Sequence, residues 1–205
     1  PITVKHRIGI DKTESYDFVR DFVGTVAQAG CDVFTVHARN AWLKGLSPKE
    51  NREVPPLRYE LAYRLKTDFP ALTIVVNGGI VGTEPMHAHL QHVDGVMIGR
   101  EAYHNPWTMV DWDAQFWPEP DVASPPAVSA PTHPLTRESV EEAMVAYMAE
   151  QASEHGTPWS HIARHMLGLR NGTPGARKWR QVWSDHRLKH LPAADVMAQA
   201  RAVLA

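Results

Sequence analysis

Two short apolar runs, each followed by glycine, constrain the fold of this chain more than any other feature. Thr73–Val76 and Gly95–Ile98 are rich in β-branched residues, and they end in Asn77-Gly78-Gly79 and Gly99-Arg100. Such short runs, bounded by turn residues, are typical of fully buried parallel strands. Glycine lets the backbone approach a ligand closely, and arginine supplies a planar cation suited to phosphate. This pair of strand–glycine loops predicts a phosphate-binding site like those in the last two units of a β/α barrel.

Further strand and helix patterns alternate along the first half of the chain. Ile2–Ile8 and Asp32–His37 predict strands, and helical periodicity predicts helices over Tyr16–Ala29, Arg58–Thr67 and Glu84–Gln91. The alternation indicates an α/β fold with a parallel sheet. A barrel is favoured because polar residues recur where strands end, at Lys5, His37, Asn77 and Arg100. An open doubly wound sheet is the alternative, although its phosphate loop usually follows the first strand.

The first two strands carry the candidate polar side chains of the sheet. Lys5 and Arg7 stand two residues apart, so both point to one face of the first strand. In a barrel this face is the lumen, and in an edge strand the charges face solvent. His37 ends the next strand and is followed by Ala38 and Arg39.

Residues 40–57 form a long polar loop that carries Trp42, Lys44, Lys49 and Arg52. Loops longer than about 12–15 residues in a compact domain are often functional. Two interpretations stay open at this point: a ligand-contacting loop with a stacking tryptophan, and a solvated loop whose tryptophan is buried.

Composition excludes several classes of protein. The formal net charge over 205 residues is −2, and Cys31 is the one cysteine. An intrachain disulfide framework and a cysteine-rich zinc site are therefore excluded, and a reducing, cytoplasmic location is expected. No apolar run approaches the roughly 18 residues of a membrane span, and no signal peptide opens the chain. Because a buried strand needs neighbours on both sides, we expect a C-terminal part of a longer protein.

The second half of the chain changes character. Residues 118–134 hold six prolines and predict a stiff linker between a first domain, 1–117, and a second, 135–205. Helices are predicted over Arg137–Glu154, Trp159–Leu169, Gly175–His190 and Ala193–Leu204.

The second domain has a local excess of positive charge. Arg164, Arg170, Arg177, Lys178 and Arg180 are interleaved with tryptophans at 159, 179 and 183. This pattern favours contact with a polyanion such as nucleic acid. A solvated basic face over a tryptophan core is the alternative. Helical spacing places Arg177 and Arg180 on one face, with Trp179 and Trp183 on another that packs inward.

Five segments together resemble a known family. They are VKHRIGID, DVFTVHARNAWLKGLSPKENREVPPL, VVNGGI, DGVMIGREAYHNPW and RHMLGLRNGTPGARKWR. They strongly resemble the tRNA-dihydrouridine synthases, in particular the C-terminal portion of the bacterial A subfamily, over nearly the whole chain except the linker. The resemblance implies the C-terminal half of an FMN-binding (β/α)8 TIM barrel, followed by a small all-helical tRNA-binding domain. It also implies reduction of a uridine in the D-loop of tRNA to 5,6-dihydrouridine, with FMN as cofactor and NADPH as reductant.

The resemblance also implies roles for single residues. The expected cofactor-binding residues are Lys5, His37, Asn77, Gly78, Gly79, Gly99 and Arg100. Arg7 is expected near the target uracil, and the expected tRNA contacts are Arg39, Lys49, Asn51, Arg52 and Arg170, with Arg177 and Arg180 added by the charge pattern. No metal ligand is expected, and the protein is expected to be a monomer without membrane contact.

The family's catalytic cysteine lies in the first half of the barrel, so these 205 residues alone are expected to be inactive. Cys31 lies between a helix and the start of a strand, at the opposite end of the barrel from the ligand, and is expected to be a small buried thiol. Two other functions stay open: another FMN-dependent barrel oxidoreductase acting on a small molecule, and a non-catalytic RNA-binding fragment.

Overall fold

The computed structural model describes residues 2–116 and 135–204, so the predicted linker lies outside the described residues. Contacts divide the chain into two compact units, Pro1–Glu101 and Ala102–Ala205. We call them the sheet unit and the helical unit. The sheet unit ends before residue 117, because the short helical segments after Glu101 make their contacts within the second unit. The domain boundaries drawn from the linker stay a prediction.

The sheet unit contains four parallel strands in the order β1-β2-β3-β4. The strands are β1 (Thr3–Arg7), β2 (Val33–His37), β3 (Thr73–Asn77) and β4 (Gly95–Met97). Between them lie α1 (Tyr16–Gln28), α2 (Tyr59–Asp68) and α3 (Thr83–Leu90). The predicted α/β fold with a parallel sheet is confirmed, and each strand follows its neighbour through a helix as in part of a β/α barrel.

Local sequence explains where α1 begins and ends. The Ser15 side chain accepts a hydrogen bond from the Phe18 backbone N–H at 3.3 Å and caps the first turn. After the last turn, Gly30 adopts φ 93°, which glycine tolerates without strain. The predicted helix over Tyr16–Ala29 is therefore confirmed to within one residue.

The two faces of the sheet have different environments. Phe34, Val36, Ile74 and Val76 are fully buried, together with apolar residues of α1 and α2. The alternating residues of the same strands, which include His37 and Asn77, are only half-buried. Strand register places Lys5 and Arg7 on the same face as His37. The predicted polar residues thus share the face that does not form the helix-packed core.

The helical unit is built from short and medium helices. They are α4 (Arg100–His104, which starts in the sheet unit), α5 (Trp112–Phe116), α6 (Arg137–His155), α7 (Trp159–Ala163), α8 (Ala176–Trp183) and α9 (Ala193–Ala202). Single 3-10 turns cover Glu50–Arg52 in the sheet unit, and Pro106–Met109 and His186–Leu188 in the helical unit. No helix in the described part of the chain is long and apolar enough to cross a membrane.

Two of the predicted helices were too long. The helix predicted over Trp159–Leu169 ends at Ala163, after which the backbone tightens into turns bonded three residues apart. The helix predicted over Gly175–His190 ends at Trp183, because Asp185 caps a separate turn by accepting from the Arg187 backbone N–H at 2.9 Å. Periodicity alone did not reveal either interruption.

The core of the helical unit is aromatic. Trp179, Met148 and Val196 are completely buried, and Trp183 is 2% exposed. Thr136 begins α6 with a capping box that it shares with Ser139, and the helix ends at Gly156 in the left-handed conformation. The helix predicted over Arg137–Glu154 is confirmed to within one residue.

Candidate functional site

Three side chains form a row across the carboxyl ends of the strands. In the strand register Arg7 lies opposite His37, and His37 lies opposite Asn77. Lys5 stands two residues earlier in β1 and therefore on the same face. These four residues, with His6 and Arg52, line a shallow depression of about 480 Å³. The structure thus brings together residues that are more than 70 positions apart in the sequence.

The depression is strongly positive. Among the described residues that line it, none is acidic. Burial, reinforced by Arg7 and Lys5, lowers the pKa of His37 to about 4, so its ring is neutral at pH 7. Burial and the nearby Arg7 likewise lower the pKa of Lys5. Uncompensated cations around a neutral imidazole are suited to an anionic ligand that also forms hydrogen bonds.

The loop after β3 requires glycine. Gly78 has φ 128°, and a Cβ atom there would lie 2.9 Å from both His37 Cδ2 and Leu57 Cδ2. Tyr59 at the start of α2 donates its hydroxyl to the Gly78 carbonyl at 2.5 Å, and this fixes the peptide plane of the loop. Sequence reasoning gave Tyr59 no role, since its contact spans 19 positions and follows no local pattern.

The loop after β4 has open space around its glycine, whereas the loop after β3 is crowded. A Cβ atom added to Gly99 would meet nothing within 4 Å. Arg100, which follows it, donates to the Glu53 carboxylate at 2.8 Å and to the Arg52 carbonyl at 3.3 Å. The side chains of Arg100 and Glu53 are both nearly half exposed, so an anion can compete with Glu53 for this guanidinium. The Asn77 amide donates to the Met97 carbonyl at 2.7 Å and ties the two strand ends together.

Comparison with known proteins then decides the family. The family model "Dihydrouridine synthase (Dus)" matches residues 1–203. The chain belongs to the dihydrouridine synthase family. The resemblance predicted from the motifs is confirmed, and the four β/α units are part of the TIM barrel of this family.

Three similar relatives carry the name tRNA-dihydrouridine(20/20a) synthase. The protein of Vibrio cholerae is 48% identical over 203 residues, which cover 98% of this chain and 58% of the relative. That of Escherichia coli K12 is 49% identical over 197 residues, 96% of this chain and 53% of the relative. That of Yersinia pestis is 47% identical over 205 residues, 100% of this chain and 56% of the relative. The chain therefore spans little more than half the length of these synthases.

Within this dihydrouridine synthase chain, the long loop after β2 is fixed by side chains that were predicted to touch tRNA. Arg7 donates through Nη1 to the carbonyls of Asn40 at 2.7 Å and Asn51 at 2.8 Å. The Asn51 side chain accepts from the Trp42 backbone N–H and donates to the Trp42 carbonyl, both at 2.8 Å. Arg7 and Asn51 therefore brace residues 40–57, a role that the sequence analysis missed.

Arg39 requires a correction. It is 9% exposed, and its guanidinium donates to the carbonyls of Glu53 and Pro55. A buried guanidinium that is held by loop carbonyls cannot also meet a tRNA phosphate at the surface. Lys49 and Arg52 are exposed, and Arg52 also lines the depression, so these two keep their predicted role.

Arg170 requires a second correction. It is 6% exposed, and its Nη2 donates to Glu138 at 2.7 Å and lies 3.5 Å from the fully buried Glu141 carboxylate. Glu141 also accepts from the indole N–H groups of Trp179 at 2.7 Å and Trp183 at 3.1 Å. Arg170 thus belongs to a buried charge cluster of the helical unit and not to its surface.

The predicted faces of α8 are confirmed. Trp179 and Trp183 are buried, whereas Arg177 is exposed and Arg180 is partly exposed. The guanidinium groups on this helix are therefore accessible to a polyanion, and the tryptophans belong to the core.

The remaining candidates concern the thiol and metals. Cys31 is buried, and its Sγ lies 3.7 Å from the Ile2 carbonyl and 3.6 Å from the Val33 carbonyl, at the start of β2. The prediction of a small buried thiol is confirmed. Within residues 2–116 and 135–204, no three His, Cys, Asp or Glu side chains are grouped so that they could hold a metal ion.

Proposed function

We propose that the protein containing this chain reduces a uridine in the D-loop of tRNA to 5,6-dihydrouridine, with FMN as cofactor and NADPH as reductant. The observation that supports this most directly is the row of Arg7, His37 and Asn77, with Lys5 beside it and with the glycine loops that follow β3 and β4 at one end of the row. The family and the names of the relatives give the reaction class. The cofactor and the substrate are our inference from the residues present.

The residues fit a flavin nucleotide. A phosphate group needs backbone N–H groups and a cation, which the Gly78-Gly79 loop, Gly99 and Arg100 supply. The space beside Gly99 leaves room for the ligand, since no atom lies within 4 Å of a Cβ position there. Lys5 and the neutral His37 line the depression, and we assign to them the contacts with the isoalloxazine ring.

When bound, FMN supplies the hydride for the 5,6 double bond of uracil. The chain's own residues supply charge and orientation. Lys5 lines the depression and would stabilise the negative charge of a reduced flavin held there. His37 stays neutral, so it offers one N–H donor and one acceptor without adding a further charge. Arg7 borders the same depression and is placed to orient the uracil carbonyls.

The proton for the second carbon must come from another residue. Cys31 stands six positions before His37, about 20 Å at 3.3 Å per residue of extended chain, so this thiol cannot reach the depression. We assign the proton to the cysteine that the family resemblance implies elsewhere in the barrel. A uridine in folded tRNA must also leave its stack to enter the site. We assign the surrounding phosphates to the exposed cations Lys49, Arg52 and Arg177 and to the partly exposed Arg180.

The deciding experiment uses the full-length protein. Flavin is measured by absorbance, and unmodified tRNA is incubated with protein and NADPH, digested and analysed for dihydrouridine by liquid chromatography with mass spectrometry. We expect bound flavin and NADPH-dependent dihydrouridine. Lys12→Ala, which removes an exposed cation outside the depression, serves as a control that keeps both. Flavin without dihydrouridine would indicate an oxidoreductase of another substrate, and the absence of both would leave RNA binding alone.

A further inference from the structure

The helical unit contains a cavity of about 210 Å³ that is separate from the sheet site. Its floor includes Leu167 and the indole rings of Trp159 and Trp183, whose centroids lie 5.6 Å apart at an interplanar angle of 74°. Both rings are buried, and their N–H groups already donate to the Leu191 carbonyl and to Glu141. The floor therefore offers an apolar aromatic surface with no free polar group on either indole.

The rim of the cavity is cationic and hydroxylic. Arg164 and Lys189 are both exposed, and neither has an ion-pair partner among the described residues. Ser160 and Ser184 add two hydroxyl groups. Two unpaired cations beside an aromatic floor are the combination that recognises a base together with its phosphate.

One carboxylate, Asp185, also lines the cavity and opposes an anion there. Arg187 neutralises it. The Arg187 guanidinium donates to both oxygens of Asp185 from Nε at 3.1 Å and from Nη2 at 2.8 Å, and these bonds hold the pKa of that carboxyl well below its usual range. With Asp185 paired, the rim keeps the net positive charge of Arg164 and Lys189.

We infer that this cavity binds one unpaired nucleotide of the tRNA, with the base against Trp159 and Trp183 and the phosphate against Arg164 and Lys189. This inference rests on the proposed function, because tRNA is the molecule that presents such nucleotides. The cavity holds the volume of about seven water molecules, which suits a single base. The nucleotide differs from the target uridine, whose site is in the sheet unit.

The first test measures affinity of the full-length protein for an unmodified tRNA transcript. Lys189→Ala should lower it roughly tenfold, because a charge-assisted contact is lost. Lys12→Ala is the control: it removes an exposed lysine that does not line this cavity and has no assigned ligand contact, so the change should stay below about fivefold. Ser184→Phe should also lower affinity roughly tenfold, because it fills the cavity while keeping every charge. Equal effects of Lys189→Ala and Lys12→Ala would overturn the inference.

The second test uses the four nucleoside 5′-monophosphates on wild-type protein with ¹⁵N-labelled indoles. Their addition should shift the Nε1–H resonances of Trp159 and Trp183 and leave that of Trp42, in the sheet unit, in place. Inorganic phosphate at the same concentration should shift neither. Equal shifts with phosphate alone, or no shift with any nucleotide, would show that the cavity holds no base.

The two proposals fail in different ways. If wild-type protein makes no dihydrouridine in any tRNA, the proposed function fails, while the indole resonances still decide whether the cavity binds a nucleotide. If wild type makes dihydrouridine but Lys189→Ala and Ser184→Phe bind tRNA as wild type does, only the present inference fails. Lys189 is exposed, so its variant tests the inference even if Ser184→Phe does not fold.

Discussion

The two units of this chain bury arginine in opposite ways. In the sheet unit, Arg39 is 9% exposed and donates to main-chain carbonyls of Glu53 and Pro55. In the helical unit, Arg170 is 6% exposed and faces the carboxylates of Glu138 and Glu141. Carbonyl oxygens satisfy the hydrogen bonds of a guanidinium but leave its charge in place, whereas carboxylates cancel that charge.

This difference determines where uncancelled positive charge lies in each unit. In the sheet unit the uncancelled charges of Arg7 and Arg39 reach the site and help to lower the pKa of His37. In the helical unit the buried charges are paired, and the free cations lie on the surface, as Arg177 and Lys178 do. An anionic ligand is therefore expected in a depression of the first unit and along the exterior of the second.

The largest expected effect tests the pairing in the helical unit. Glu141→Gln leaves the guanidinium of Arg170 buried without its full counter-charge and should cost about 3–5 kcal/mol of unfolding free energy. Glu141 also accepts from Arg201 Nε at 3.0 Å, and the exposed Glu142 accepts from Nη1 of the same guanidinium at 2.8 Å. Glu142→Gln should therefore cost under about 1 kcal/mol. Urea denaturation of the full-length protein, followed by tryptophan fluorescence, measures both. Equal losses would show that burial of this cluster carries no special cost.

A second pair of variants compares two glycines of the sheet unit: one that the backbone conformation requires, and one that leaves space for a ligand. Gly78→Ala should destabilise the protein by about 1–3 kcal/mol, because φ is 128° and the new methyl group meets His37 and Leu57 at 2.9 Å. Gly99→Ala should leave the unfolding midpoint unchanged and lower the flavin content, because its methyl group enters open space that we assign to the cofactor. Calorimetry and flavin absorbance give the two readouts. Full flavin content in Gly99→Ala would remove this loop from the site.

The third expected effect concerns the phosphate cation. Arg100→Ala should weaken FMN binding roughly tenfold, since a charge-assisted contact is lost. Glu53→Gln should strengthen it, because Glu53 occupies the same guanidinium at 2.8 Å. The flavin dissociation constant of the full-length protein is the measurement. If Glu53→Gln also weakens binding, Glu53 positions Arg100 and does not compete with the phosphate.

A smaller effect is expected on the surface of α8. Replacing Arg177 and Arg180 with alanine should weaken tRNA binding and flatten its salt dependence by about one log unit of slope per lost phosphate contact. Flavin content and NADPH oxidation should stay unchanged, because the residues that we propose for the cofactor lie in the sheet unit. Affinity is measured at several salt concentrations. Identical slopes for both proteins would mean that this face is only solvated.

The smallest expected effect is on pH dependence. In the folded protein the pKa of His37 is about 4, below its usual 6.5, so the unfolded chain binds more protons between these values. Stability should therefore fall as pH drops from about 6.5 to 4, and it should be independent of His37 above that window. Arg7→Leu should raise the pKa only in part, because burial is the larger cause. NMR titration of the ring measures this, with Lys49→Ala as a control that leaves the pKa unchanged.

Local patterns predicted the parts of the fold that depend on neighbouring residues. The four strands, the Ser15 cap of α1 and the Thr136 cap of α6 all follow from short-range periodicity and hydrogen bonding. The early end of α8 was missed, because capping by Asp185 competes with a periodicity that continues past it. The early end of α7 was missed, because turns bonded three residues apart replace the helix there without breaking the periodicity.

Prediction of the candidate site from the sequence likewise succeeded for local features and failed for contacts between distant residues. Strand ends predicted Lys5, His37 and Asn77, since parallel strands bring their carboxyl ends to one edge. Arg170 was assigned to the surface, because its partners Glu138 and Glu141 are 32 and 29 positions away. A basic residue in the sequence shows its charge but not the carboxylate that folding brings to it.

The way in which Arg7 and Arg39 hold the loop over residues 40–57 has a consequence for how this protein can change. The two guanidinium groups attach to the main-chain oxygens of Asn40, Asn51, Glu53 and Pro55, so at Glu53 and Pro55 the attachment does not depend on which side chain is present. The side chains at these two positions can therefore be exchanged while the anchoring is kept, whereas Asn51 must stay because its own side chain braces the loop. A library of grafted loops that preserves the backbone path could alter RNA preference without rebuilding the scaffold.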